Sequence, residues 1–485
     1  MSNTSTLKPA SIWVALIPLV TLITLLGFSV SFYGDGSSSG ANQIALLISA
    51  AVTHLIGWRR GMRWKELEQG TVEGISRAMG ACMILFAVGS LIGAWMLSGT
   101  APALIYYGLA ILDPSWFYPS TLIICALVAM SIGSSWTTAG TVGIALVGIA
   151  STLGISMPIA AGAVISGAYF GDKISPLSDT TNLAPAMVGT DVFTHIRHML
   201  WTTVPSFIIA LILFTVLGWG GSSVPGGSDN IELTRTALDS SFNLGLPTFI
   251  PLIILLTLAL KKVPAYPAIG IGALSGIVVA LTYQPEAVIT FVAAEGGIGY
   301  GEILAKGAWQ VLFDGYSSNT GLDNLDSLLS RGGMGSMVTT VWLILTAMTF
   351  GAAMEKTGLL VVITTQVMKG VTGTGSLILT TVMTAIGVNI LSSDQYMAIV
   401  LPGRMYKLEF ERHGLAPQNL SRTIEDAGTM TSALVPWNTC GAFMAATLGV
   451  PTLAYLPYAF LNLLNPVIAV FYGFTNFALV KLDEE

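Results

Sequence analysis

Eight apolar stretches dominate this chain: residues 11–32, 42–57, 75–98, 201–219, 246–260, 264–283, 336–354 and 453–476. A helix needs roughly 20 mostly apolar residues to cross a bilayer, and few soluble folds tolerate so many such runs. Further apolar tracts lie between them, at 100–112, 117–148, 159–190, 358–391, 395–403 and 427–449. Each is interrupted or bordered by polar and Gly/Pro-rich patches. The pattern predicts an all-α polytopic membrane protein with roughly 12–14 crossings, several of them broken. The segments 61–74 and 300–314 read as amphipathic pieces lying at the interface.

Charge confirms the class and narrows it. Only 9% of the residues are charged, against roughly 25% in soluble domains, so the chain lacks the surface a water-soluble enzyme needs. The net charge of −6 and the absence of a basic stripe argue against a nucleic-acid partner. Cys82, Cys125 and Cys440 are far apart in apolar runs, which suggests neither a disulfide framework nor a zinc site. No GxxxxGK[ST] phosphate loop and no HExxH motif occur, so neither ATP-driven transport nor metalloprotease chemistry is expected, and no cofactor is implied.

Most charges sit in six clusters, at 59–77, 229–239, 261–262, 286–331, 404–426 and 481–485. Lys and Arg in short loops mark the cytoplasmic side. Lys8, the Arg59–Lys65 loop, Lys261-Lys262, Arg404–Arg412 and Lys481 are therefore placed inside, with both termini. The Gly/Ser-rich residues 220–245 and the acidic stretch 284–302 are placed outside.

Residues 66–219 align with roughly 302–478. Gly93-Ala-Trp-Met96 matches Gly351-Ala-Ala-Met354 at an offset of 258, and Gly133-Ser-Ser-Trp136 lies near Gly387–Asp394 at an offset of about 254. The loop 404–413 is basic while its counterpart near 149–158 is uncharged, which points to two repeats of inverted topology, as in many secondary transporters. Four regions are expected: an N-terminal helical hairpin (1–65), transport repeat 1 (66–219), an external loop with linking helices (220–300) and the inverted repeat 2 (301–485).

Four breaks interrupt the tracts, two in each repeat: 133–140, 171–182, 389–395 and 425–439. Non-helical backbone at membrane depth survives only where it lines a cavity or is buried in protein, so these breaks mark the expected binding site. Of the acids found there, Asp172, Asp179 and Asp394 are the expected cation and proton ligands. A carboxylate at the bilayer centre costs roughly 2.5–3.5 kcal/mol on insertion scales, and a bound cation or proton offsets that cost. Thr180, Thr181, Asn182 and Asn438 are expected to complete a shell of hard oxygen ligands for Na⁺. Ser134, Ser135, Thr137, Ser175, Ser178, Asn389, Ser392, Ser393 and Trp437 are candidates for substrate contact or support. Lys173 either pairs with another carboxylate or meets a substrate carboxylate. Asp426, with Glu425, reads either as a capping or interfacial acid or as part of the site. His195 and His198 read as interfacial groups in a cytoplasmic turn, and Glu355-Lys356 as a solvated boundary.

The run Ser166-Gly-Ala-Tyr-Phe-Gly-Asp-Lys-Ile-Ser-Pro-Leu-Ser-Asp-Thr-Thr-Asn-Leu-Ala-Pro185, continuing through His195-Ile-Arg-His198, closely resembles the NhaC-type Na⁺/H⁺ antiporter family. Ser134-Ser-Trp-Thr-Thr138 and Ala433-Leu-Val-Pro-Trp-Asn438 are similar to that family's patterns. The resemblance implies a prokaryotic inner-membrane carrier in which Na⁺ and H⁺ compete at intramembrane carboxylates. Because the family also includes malate/lactate exchangers, the alternative is a Na⁺- or H⁺-coupled carrier of a small organic acid or amino acid. The expected partners are the lipid bilayer and these small solutes, and a homodimer is allowed.

Overall fold

A computed structural model describes residues 10–219, 227–292, 299–319, 326 and 329–482. Among these residues every regular element is helical, apart from one isolated bridge between Leu415 and Lys481. The N-terminal part holds α1 (Ile12–Tyr33), α2 (Ala41–Arg59), α3 (Trp64–Leu97), α4 (Thr100–Ile111), α5 (Phe117–Ile132), α6 (Ser135–Thr138) and α7 (Ile144–Thr152). It continues with α8 (Met157–Ile174), α9 (Asp179–Val188) and α10 (Val192–Trp219). The linking helices are α11 (Gly227–Ser241), α12 (Ile250–Leu260), α13 (Ala265–Tyr283), α14 (Pro285–Val292) and α15 (Tyr300–Phe313). The last part holds α16 (Val338–Lys356), α17 (Leu359–Met368), α18 (Thr374–Ser392), α19 (Gln395–Arg412), α20 (Pro417–Ile424), α21 (Met430–Ser432), α22 (Thr439–Leu448), α23 (Thr452–Tyr455) and α24 (Phe460–Thr475).

Eight helices are long and apolar enough to cross a membrane, or ten when each of two sharply bent pairs counts as one span. The other crossings expected from sequence fall on the broken elements, whose pieces are too short or too polar to pass singly. Three expectations change. Residues 61–74 are not a separate interfacial piece, because Trp64 onward belongs to the 34-residue helix α3. The loop 220–245 contains the helix α11, although residues 220–226 lie outside the described part, as do 293–298 of the acidic stretch. His195 and His198 sit inside α10, both buried, bonded to Ser421 and Asn419. Polar residues on α20 receive them, so no aqueous turn is required.

The repeat is clear in the order of elements, with a more uniform register than the sequence matches gave. Gly133 (φ 74°) and Ser393 (φ 59°) end α5 and α18 in left-handed conformation. They lie 260 positions apart, as do Pro176 and Pro436, the N-caps Ser178 and Asn438, and the left-handed C-caps Gly189 and Gly449. Gly387 therefore does not correspond to Gly133. Chance glycine matches pulled the sequence register off by several residues.

Small residues bring the helices close enough to define the breaks. A Cβ on Gly167 would lie 2.3 Å from the Leu122 carbonyl, and one on Gly171 2.3 Å from that of Ala126. In lipid, close backbone approach of this kind replaces the hydrophobic drive between helices. It fixes α8 against α5, so that the end of α8 meets the turn after α5.

Candidate functional site

Each broken segment resumes as a helix with its own cap. Ser134 accepts from Thr137 N at 3.2 Å, Ser178 from Thr181 N at 3.4 Å, Asp394 from Tyr396 N at 2.9 Å and Asn438 from Cys440 N at 3.0 Å. A side-chain oxygen at the N-cap satisfies one of the orphan amides of the first turn. The four helix starts α6, α9, α19 and α22 converge on one cavity of about 340 Å³. Its wall includes Ser134, Ser135, Asp172, Asp179, Thr180 and Asp394, joined by Arg77, Trp136, Gln395, Tyr396, Thr439 and Cys440.

The three acids are held in different ways. Asp172, at the end of α8, is buried, and its Oδ2 accepts from Ser135 N at 3.1 Å and Ser135 Oγ at 2.7 Å. Its Oδ1 is also buried but has no hydrogen-bond partner. Asp179, the first residue of α9, is exposed and accepts from the Tyr396 hydroxyl. Asp394 caps α19 and is 7% exposed. A charge at a helix N-terminus gains about 0.3–1 kcal/mol, less than the roughly 2.5–3.5 kcal/mol that intramembrane burial of a carboxylate costs. Helix dipoles therefore offset only part of the penalty, and at Asp172 the two hydrogen bonds from Ser135 add to them. Arg77 makes its ion pair with Glu355, at 2.6 Å, and not with an acid of the cavity.

Several expected residues support the site without lining it. Thr181 donates to the Lys173 carbonyl at 3.0 Å and so closes the end of α8. Asn182 is exposed and donates to the Pro176 carbonyl at 2.9 Å, which locks the turn and makes it no ligand of the cavity. Ser175 accepts from Leu177 N, and Thr137 donates to Ser134 Oγ. Asn438 donates to Asn389 Oδ1 at 3.0 Å, and Asn389 to the Gly428 carbonyl at 2.7 Å, stitching the second-half breaks together. Trp437 donates to the Ile390 carbonyl at 2.9 Å, Ser392 to that of Val388, and the Ser393 carbonyl accepts from Thr439 N.

Lys173 and Asp426 form an ion pair with both side chains fully buried. Lys173 also reaches Asn465, and Asp426 accepts from Thr202 at 3.0 Å. Of the two roles open to Lys173, the structure shows the pair with another carboxylate. Asp426 and Glu425 are neither capping nor interfacial. They sit in a one-turn π-helical stretch (Glu425–Thr429), 0% exposed. Sequence reasoning missed Arg77, Gln395 and Tyr396. Arg77 stood at the edge of the charge cluster 59–77, in the first turn of the expected span 75–98, and Gln395 and Tyr396 follow the flagged Asp394.

The fold and the site define a multi-pass helical membrane protein with an acid-lined cavity where its broken helices meet. The family model described as "Na+/H+ antiporter family" matches residues 167–477. The chain is 39% identical over 440 residues to the Na⁺/H⁺ antiporter NhaC of Alkalihalophilus pseudofirmus, covering 90% of this chain and 91% of that protein. It is 38% identical over 483 residues to the arginine/ornithine antiporter ArcD of Halobacterium salinarum, covering 99% and 95%. The malate-2H⁺/Na⁺-lactate antiporter of Bacillus subtilis is 38% identical over 436 residues, covering 90% and 89%. The chain belongs to the Na⁺/H⁺ antiporter family.

Proposed function

We propose that the chain is a secondary carrier of a prokaryotic inner membrane that exchanges Na⁺ for H⁺ at the cavity carboxylates. The observation that carries this reading is the convergence of Asp172, Asp179 and Asp394, from both halves, on one cavity at four helix starts. A Na⁺ ion held by Asp172 and its neighbours offsets the burial cost that a proton offsets in the other half of the cycle. The cavity wall includes Arg77 and Ala265, and Ala265 follows the Lys261-Lys262 loop. With Lys and Arg marking the cytoplasmic side, this cavity opens inward, and both termini are cytoplasmic. The bilayer is the chain's immediate partner.

A second reading has its own support. A space of about 340 Å³ far exceeds one bare cation, and relatives that exchange malate, lactate, arginine or ornithine share the chain's length. In that reading a small organic acid or amino acid enters beside the cation. Purified protein in proteoliposomes separates the two. Under an imposed Na⁺ gradient, Na⁺/H⁺ exchange gives proton flux with no organic solute, and Asp179→Asn and Asp394→Asn abolish it. Proton flux that requires malate, lactate or an amino acid would establish the second reading.

A further inference from the structure

The wall of the cavity carries a base among its acids. Of the described residues that line it, Asp172, Asp179 and Asp394 are acidic and Arg77 is basic. Arg77 stands on α3 and pairs with Glu355, near the end of α16, at 2.6 Å. This pair is not what ties the two helices together. A Cβ on Gly74 would lie 2.2 Å from that of Ala352, and one on Gly70 2.6 Å from Lys356 Cγ, so small residues bring α3 directly against α16. A second pair, Lys356 with Glu73 at 3.9 Å, spans the same two helices. The Arg77 and Glu355 side chains are each 38% exposed, and an ion pair this open to water is held only weakly. Both also act electrostatically on Asp394, with opposite signs. Asp394 is bonded by the Tyr396 amide at 2.9 Å and lines the same cavity as Arg77.

An arginine keeps its charge at any working pH, so what can change at Arg77 is its position and not its protonation. We propose that Arg77 is a tethered cation that competes with Na⁺ for Asp394, and that Glu355 is the acid that holds it away. This rests on the Na⁺/H⁺ reading above and adds what sets the cation affinity of the site. In the structure the guanidinium is on Glu355, and Asp394 is left to the ion. When the guanidinium turns to Asp394 instead, it brings the positive charge that Na⁺ would bring, and a second cation beside it is repelled. Na⁺ then binds only in the fraction of molecules whose Arg77 is on Glu355. The apparent dissociation constant is the intrinsic one divided by that fraction. The strength of the Arg77–Glu355 pair therefore tunes Na⁺ binding, with neither residue acting as a ligand of the ion. A weakly held pair suits that task, because the guanidinium changes partner at little cost.

Isothermal titration of NaCl into detergent-purified protein, with ionic strength held constant by choline chloride, reads the dissociation constant directly. Glu355→Gln releases Arg77. If the guanidinium then spends about nine-tenths of its time on Asp394, the constant rises roughly tenfold. Arg77→Gln removes the competitor and should lower the constant below the wild-type value. The double variant should lose the weakening caused by Glu355→Gln and bind Na⁺ at least as tightly as wild type. A pair that only braces α3 against α16 gives another pattern, with both single variants shifted the same way and the double no better than either. That pattern, an unchanged constant in Glu355→Gln, or a double variant as weak as Glu355→Gln overturns the assignment. Should Glu355→Gln not yield folded protein, Glu355→Asp, which holds Arg77 less firmly, must show the same weakening, and an unchanged constant in it overturns the assignment equally. Proton flux in proteoliposomes is read separately. Wild-type protein that binds Na⁺ but drives no proton flux is a failure of the Na⁺/H⁺ reading alone, because the affinities still decide on Arg77. Wild-type protein that binds no Na⁺ overturns both.

Discussion

In the first half of the molecule the Ser135 hydroxyl donates to Asp172, and in the second half the Ser432 hydroxyl donates to Gln395 at 3.1 Å. Ser135 and Gln395 are 260 positions apart, and so are Asp172 and Ser432. The same cross-break contact is thus built twice, with donor and acceptor exchanged and the charge kept on only one side. Asp394 caps its helix where Ser134 does so in the first half. Asp179 begins α9 where Thr439 begins α22, and Lys173 stands opposite Ala433. Duplication supplies a frame of four capped helix starts around one space. The chemistry comes from how the two copies differ.

The strongest challenge to that contrast is the position with no charged counterpart. Removing one member of a buried ion pair costs about 3–5 kcal/mol, because the other charge is left uncompensated. Lys173→Met should therefore lower unfolding stability in detergent by that amount, and Lys173→Met combined with Asp426→Leu should recover most of it. A single variant that loses less than the double one would show that the pair does not anchor the first half.

A smaller effect is expected at the paired turns. Gly133→Ala places a Cβ 2.6 Å from that of Leu177 and forces a left-handed alanine. The conformation alone costs about 1–2 kcal/mol, and relief of the contact adds to it. The melting temperature of the variant in detergent checks this, and an unchanged value would mean that the first turn is as permissive as the second. Next come the two cross-break contacts. Ser135→Ala removes one of two hydrogen bonds to a buried carboxylate, worth about 1.5–3 kcal/mol, whereas Ser432→Ala removes neutral bonds worth about 0.5–1.5 kcal/mol each. The apparent Na⁺ affinity should fall more with Ser135→Ala than with Ser432→Ala. Equal losses would erase the asymmetry between the halves.

How much of this could be read from sequence depended on what kind of signal each residue sends. Asp172, Asp179 and Asp394 stood out because a charge inside an apolar run has few explanations. The breaks were visible through Pro176, Pro436 and Gly133, which interrupt helices by their own backbone chemistry. Asn182 and Trp437 were placed correctly in the breaks yet do not line the cavity, since sequence spacing does not reveal which way a turn residue points. Glu425 and Asp426 follow Arg422 and begin an apolar run, which made a capping or interfacial role as natural a reading as a buried one. Their burial comes from α8 and α10, elements more than two hundred residues away in the chain. Arg77 was hidden for the opposite reason, as a long helix carries it from an aqueous end to the cavity wall.

The last comparison concerns Ser393, the left-handed residue that matches Gly133. A serine in this conformation gives up about 1–2 kcal/mol relative to glycine, while glycine loses roughly 0.5–1 kcal/mol more on folding from its freer unfolded chain. Ser393 Oγ is buried without a hydrogen-bond partner, so the hydroxyl adds no compensating bond. The interaction that matters at this residue is its carbonyl, which accepts from Thr439 N at 3.1 Å and survives substitution. Ser393→Gly should therefore stabilise the protein slightly, by about 0–1.5 kcal/mol on these terms, and leave Na⁺-driven flux near wild type. Thermal unfolding of the variant beside Gly133→Ala tests both turns together. If Ser393→Gly instead destabilised the protein as strongly as Gly133→Ala, the second turn would depend on its side chain, and the two turns would not be equivalent parts of one frame.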